Sequence, residues 1–142
     1  MQLAPIGVIE NAFLDQVPQR WESATHRLVF LPEWATALEG IEDFSHIHVL
    51  FWLSGIRPPF QTHVHPRNRA DLPEVGIFAT RTPHRPNRIG LQVCQLVSRE
   101  GNVLIVRRLD ALNGTPVLDV KPYLPDGDAW PKARVAEWVE RL

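Results

Sequence analysis

The stretch Arg81-Thr-Pro-His-Arg-Pro-Asn-Arg88 places three arginines within eight residues on a backbone that Pro83 and Pro86 stiffen. Like charges this close repel unless an anion or ligand shares the space, so the segment reads as a preorganised polar hook for phosphate, carboxylate or a base edge. A second candidate is Leu109 to Tyr123, where Asn113-Gly114 is a strong turn dipeptide whose exposed groups suit a small polar ligand. Two His-x-His pairs, His46/His48 and His63/His65, would each set two imidazoles on one face of a strand, as a metal site in a β-barrel does. No carboxylate follows either pair within a few residues, so a structural role is preferred and no metal is expected. Cys94 lies in the apolar run Leu91 to Val97, where a thiol packs as a small hydrophobe rather than acting as a nucleophile. A Gly-x-Ser-x-Gly elbow, a dinucleotide glycine fingerprint and a phosphate-binding P-loop are all absent.

The elements that must carry these segments are short. Thirteen prolines and eight glycines in 142 residues favour strands and turns over long helices, and 44% hydrophobic content supplies one domain's core. Strands are expected over Leu3–Asn11, Thr25–Leu31, His46–Leu53, Val75–Thr80, Ile89–Ser98, Val103–Leu109 and Thr115–Val120. A short helix is expected at Pro32–Leu38. A terminal amphipathic helix is expected over Pro131–Leu142, with Val135, Trp138, Val139 and Leu142 as its stripe. Without strand–helix–strand alternation, the fold class is mainly β: an antiparallel barrel-like domain with a short helix and a C-terminal helix, over 1–142 as a single domain without an additional C-terminal one. The basic, proline-rich segments Ser54–Glu74 and Arg81–Arg88 are left as functional loops.

Charge is segregated. The whole chain is −1, yet Arg57 to Gly90 holds six arginines against Asp71 and Glu74, and basic residues overall are thirteen arginines to two lysines. Val49 to Leu53 is the longest apolar run, far below the roughly 20 residues a membrane helix needs. The single cysteine and the lack of a leader-like start make a cytoplasmic location the expectation.

Gly76-Ile-Phe-Ala-Thr-Arg-Thr-Pro-His-Arg-Pro-Asn-Arg-Ile-Gly-Leu91, followed by Leu109-Asp-Ala-Leu-Asn-Gly-Thr-Pro-Val-Leu-Asp-Val-Lys-Pro-Tyr123, resembles the two long motifs of the TsaA-like (TrmO) family of tRNA methyltransferases. Pro5-Ile-Gly-Val-Ile9, Val17 to Arg20, Phe44-Ser-His46 and His65-Pro-Arg67 also match, so the likeness runs almost to Pro125. Departures stand at Asn113, Arg88, Asn68 and Ser54, where the family more often has Asp, a small residue or proline, Gly and His. The resemblance implies a homodimer that binds S-adenosylmethionine and methylates the exocyclic amino nitrogen of threonylcarbamoylated adenosine 37 in the tRNA anticodon stem-loop. It also implies a cofactor site built from Pro18, Gln19, Arg20, Ser54, Arg81, Leu91, Leu109, Asp110, Asn113, Gly114 and Thr115. Within it Arg81 would take the cofactor carboxylate, and Asp110 or Asn113 its amino or ribose groups. Arg67, Arg69, Arg85 and Arg88 are then left for the RNA, and no catalytic residue is assigned. Two alternatives stay open: an S-adenosylmethionine-binding protein that is a sensor or methylates another amine or small molecule, and, more distantly, a metal enzyme using His63, His65 and His46 or His48.

Overall fold

Along His46–Trp52 the side chains of Ile47, Val49 and Phe51 are buried while those between them are not, the period-two pattern of a strand with one face in a core. A computed structural model, describing residues 1–57 and 59–142, turns such alternation into a closed barrel. Its strands in chain order are β1 (Gly7–Glu10), β2 (Thr25–Phe30), β3 (His46–Trp52), β4 (His63–Val64), β5 (Val75–Gly76), β6 (Ile89–Glu100), β7 (Val103–Arg107) and β8 (Pro116–Pro122), with short 3₁₀ segments between them and one α-helical turn at Pro125–Asp128. The barrel runs β1-β2-β7-β6-β3-β8 and closes on β1, antiparallel throughout. Closure removes the unpaired edges that an open sheet of these apolar strands would present.

The barrel core includes the fully buried Ile9, Leu28, Ile47, Leu104, Val106 and Val117. Each contributes about 1.5–3 kcal/mol by leaving water. Gly90 of β6 stands opposite Phe51 of β3, and a Cβ there would lie 2.3 Å from the Phe51 ring. Glycine is what lets that buried ring lie across the neighbouring strand. Two bulges, at Val97 of β6 and Leu118 of β8, interrupt the register beside β7 and β3.

The expected strands reappear with physically set limits. β1 is shorter than Leu3–Asn11: Pro5 lacks an N–H, and the Asn11 side chain diverts the chain at the other end. β7 stops at Arg107 because Arg108 takes a left-handed φ of 63°. Val75–Thr80 is corrected most. Only Val75 and Gly76 pair, with β4, and Ile77–Ala79 is a 3₁₀ turn, so this segment is no part of the barrel. Pro32–Leu38 is helical, in 3₁₀ form. The C-terminal helix is confined to a 3₁₀ segment, Glu137–Arg141, with Val135 and Leu142 exposed. A helix this short is marginal by itself, and the carbonyls of Arg141 and Leu142 are taken by arginine side chains instead.

The chain divides into two compact units. One is the barrel, Met1–Ser54 with Ile89–Tyr123; the other is Gly55–Arg88 with Leu124–Leu142, holding the β4–β5 pair and the basic segments. Buried Leu72 and Ile77 belong to the second unit.

Candidate functional site

In the barrel unit the loop from Leu109 to Thr115 is fixed by alternate anchoring. Leu109, Ala111 and Thr115 are buried, while Asp110, Asn113 and Gly114 face out. Gly114 has a φ of 81°, the left-handed turn that Asn-Gly provides without a Cβ penalty. Backbone bonds clamp the loop to β1 and its extension: Asn113 N–H donates to Phe13 O at 2.8 Å, Gly114 N–H to Ile9 O at 2.8 Å, and Ile9 N–H to Thr115 O at 2.9 Å.

Asn11 is the hub of this clamp. Its N–H donates to Asn113 Oδ1 at 3.0 Å; its Nδ2 donates to Ala111 O at 2.8 Å; its Oδ1 accepts from Phe13 N–H at 2.9 Å. Those backbone partners fix the amide's orientation, because a carbonyl only accepts and an N–H only donates. Nδ2 is therefore also the atom 3.0 Å from His26 Nδ1, so His26 Nδ1 accepts and the neutral ring carries its proton on Nε2. His26 is fully buried, stacked edge-on against Phe13 at 5.1 Å, and burial lowers its pKa.

Asp110 sits at the loop's outer side with its pKa raised by desolvation. A carboxylate so placed is one whose charge an ammonium would relieve. Leu91 faces outward on β6 opposite Leu50 of β3 and is 48% exposed. Pro18, Gln19 and Arg20 are exposed in the β1–β2 connection, and Ser54 is exposed in the turn after β3. Thus the loop residues 109–115 form one fixed group, Leu91 is exposed on β6 of the same unit, and Arg81 belongs to the second unit.

In that second unit the arginines assigned to RNA bind their own chain. Arg85 Nη1 donates to Thr80 O at 2.8 Å, with Thr82 O at 3.3 Å and Ile77 O at 3.4 Å. Arg69 grips Asp71 through two nitrogens, which holds the Asp71 carboxyl below its ordinary range, and donates to Arg141 O at 2.5 Å. Arg67, at a left-handed φ of 51°, donates to Leu142 O at 3.1 Å, and Arg88 donates to Ile56 O.

The histidine pairs sit among side chains and backbone of the chain itself. His46 and His48 share the outer face of β3, with ring centroids 6.4 and 5.5 Å from Tyr123. His65 Nδ1 donates to Leu72 O at 2.8 Å, and His63 Nδ1 lies 3.1 Å from Thr62 Oγ1. Among the described residues no three His, Cys, Asp or Glu side chains gather as metal ligands. Burial pushes the Cys94 thiol up to about 12, leaving no thiolate at neutral pH. Sequence reasoning passed over Asn11 and His26; the one available signal was a polar residue directly after a strand.

A barrel unit whose clamped loop carries an exposed carboxylate, and a second unit rich in arginine, are the setting for comparison with known proteins. The model of the tRNA-methyltransferase O N-terminal domain family matches residues 14–129, and the chain belongs to that family. A probable S-adenosyl-L-methionine-binding protein of Archaeoglobus fulgidus is 40% identical over 144 residues, 99% of this chain and 38% of that protein. The mouse tRNA (adenine(37)-N6)-methyltransferase is 35% identical, covering 88% of this chain and 31% of the enzyme. The crystal structure of TrmO from Pseudomonas aeruginosa superimposes with a TM-score of 0.78 at 36% identity, over 94% of this chain and 60% of that one. The chain therefore spans less than two thirds of each of these relatives.

Proposed function

We propose that the chain binds S-adenosylmethionine and transfers its methyl group to the exocyclic amino nitrogen of threonylcarbamoyladenosine 37 in tRNA. The observation that carries the cofactor reading is the Leu109–Thr115 loop, immobilised through Asn11 with the Asp110 carboxylate facing outward in a partly desolvated setting. The donor set fits the group: Asp110 for the ammonium, the outward Leu91 for the adenine face, and the exposed Asn113 and Gly114 for hydroxyls. Arg81 for the carboxylate, and Pro18, Gln19, Arg20 and Ser54 as further walls, rest on the resemblance alone. When bound, S-adenosylmethionine supplies an electrophilic methyl on a sulfonium. The chain's own task is then positioning, which is worth several kcal/mol when the acceptor is held in line. The amine sheds its proton once the bond has formed, so no strong base is required of these residues.

Relatives named as tRNA methyltransferases support the acceptor, and the arginine-rich second unit supports an RNA partner, with Arg67, Arg69, Arg85 and Arg88 as its proposed contacts. Ile89 and Val97, on β6, are 38% and 47% exposed, and such apolar surface supports a homodimer. A cytoplasmic location rests on the sequence expectation alone; no helix among the described residues is long and apolar enough to cross a membrane. A second reading, cofactor binding without this transfer, draws on the Archaeoglobus relative's name and on Asn113, whose Oδ1 is already engaged by Asn11.

Calorimetric titration of S-adenosylmethionine into the protein, with and without tRNA, should give saturable binding near one per chain. Absence of binding in both settings overturns the proposal. Incubation with tRNA from a strain lacking the endogenous modification should then yield methylated adenosine; binding without transfer would select the second reading.

A further inference from the structure

We propose that Phe78 is a stacking platform for an unpaired base of the RNA, with Arg85 as its brace; this rests on the tRNA reading above. Phe78 is 75% exposed, unusual for a phenylalanine, and it stands on the 3₁₀ turn Ile77–Ala79 whose first residue is buried. The turn is held from several sides. Thr80 N–H and Oγ1 both donate to Ile77 O, at 3.1 and 2.8 Å, and Thr82 N–H donates to Thr80 Oγ1 at 3.3 Å. Arg85 stitches the carbonyls of Ile77, Thr80 and Thr82 together, and its guanidinium carbon lies 5.7 Å from the Phe78 ring centroid, within cation–π range.

The ring is thus exposed and yet on a fixed base, so a partner would pay little to order it. Two features select a nucleobase as that partner. The brace is a cation, and the surrounding segment from Arg57 to Gly90 carries six arginines against two acids. Bases splayed from a single-stranded loop stack on aromatic rings and arginine planes, and they arrive with phosphates that such a charge excess attracts. The clamp also explains why Arg85 is so heavily committed to backbone carbonyls: its work is to set the turn and flank the ring.

The test is binding of an anticodon stem-loop RNA to the full chain carrying Phe78→Ala, Phe78→Leu or Phe78→Trp, read by fluorescence anisotropy over a salt series. Stacking predicts a loss of roughly 5- to 150-fold for both Ala and Leu, near-wild-type affinity for Trp, and an unchanged salt slope, because no charge is removed. S-adenosylmethionine affinity, measured calorimetrically, should be the same in all variants and certifies folding. Wild-type affinity in Phe78→Ala, or in Phe78→Leu, overturns the platform while leaving the proposed function intact. So does altered self-association of Phe78→Ala in sedimentation, which would place the ring against a second copy. Failure of the wild type to bind RNA overturns both.

Discussion

Replacing Asn11 should unlock the loop that carries Asp110, and the pH dependence of stability should report how. The Asn11 carboxamide bonds Ala111 O, Phe13 N–H and His26 Nδ1, at 2.8, 2.9 and 3.0 Å. At about 1 kcal/mol net for each, with an added penalty for partners left unsatisfied in a part-buried place, Asn11→Ala should cost roughly 2–4 kcal/mol. For a chain of this size that is a fall in Tm on the order of 10 °C.

The sign of the pH effect is more diagnostic. In the native protein His26 is neutral, and burial holds its pKa below the ordinary 6.5. Below 6.5 the unfolded chain takes up a proton that the folded chain refuses. That uptake favours unfolding, so stability is full above that pH and is lost as pH falls towards the depressed folded value, with a slope of at most about 1.4 kcal/mol per pH unit. Asn11→Asp sets a carboxylate against Nδ1 and favours the imidazolium. The folded pKa is then raised relative to that of the wild type, so less stability is lost as pH falls. Urea unfolding at a series of pH values between 5 and 8 compares the two. If Asn11→Asp keeps the wild-type slope, or Asn11→Ala costs less than about 0.5 kcal/mol, the hub does not work as its geometry indicates.

Gly90→Ala should lower stability by about 1–3 kcal/mol in thermal melts, since its Cβ would sit 2.3 Å from the ring of the buried Phe51. Asp110→Asn should weaken S-adenosylmethionine binding roughly 10- to 100-fold in calorimetry, the worth of one hydrogen bond to a charged group. Wild-type binding should also weaken as pH falls through the raised Asp110 pKa, and a pH-independent affinity would remove Asp110 from the site. Arg67→Ala should reduce the magnitude of the log–log salt slope of RNA binding by about 0.7–0.9, the share of one phosphate contact; an unaltered slope would leave Arg67 as a structural residue only.

The six barrel strands were legible because each alternates buried and exposed residues, as His46–Trp52 does, or is bounded by a turn as plain as Glu100-Gly101-Asn102. Val75–Thr80 misled for the same reason that it matters. Val, Ile and Phe there look like core, but Phe78 points to solvent and only Ile77 is buried. The helix proposed for the last residues had the right spacing and too little length. The loop of the candidate site was legible as a turn at Asn113-Gly114, while its hub was not: Asn11 lies 102 positions from Asn113, and nothing local marks the pairing.

The arginines show where residue type stops being informative. A guanidinium seen in sequence offers five donors, and whether these face a ligand depends on acceptors that every residue owns, its backbone carbonyls. Arg69 spends Nε and Nη2 on Asp71 and Nη1 on Arg141 O, so its charge is partly offset and only the two N–H groups left over can meet a phosphate. Arg85 directs Nη1 at three carbonyls of one turn. Among the described residues Arg67 donates from Nη1 to Leu142 O, and its other donors are proposed for a phosphate. A hook dense in arginine is therefore not a uniform anion trap. Part of its charge shapes the backbone so that the rest, and one exposed aromatic ring, are presented in fixed positions. Two prolines could stiffen such a turn, but a guanidinium can bond its carbonyls from one nitrogen while its flat, delocalised cation lies beside the ring, where an ammonium would offer a point charge. That is why Arg85→Lys, which conserves charge, would not conserve the arrangement.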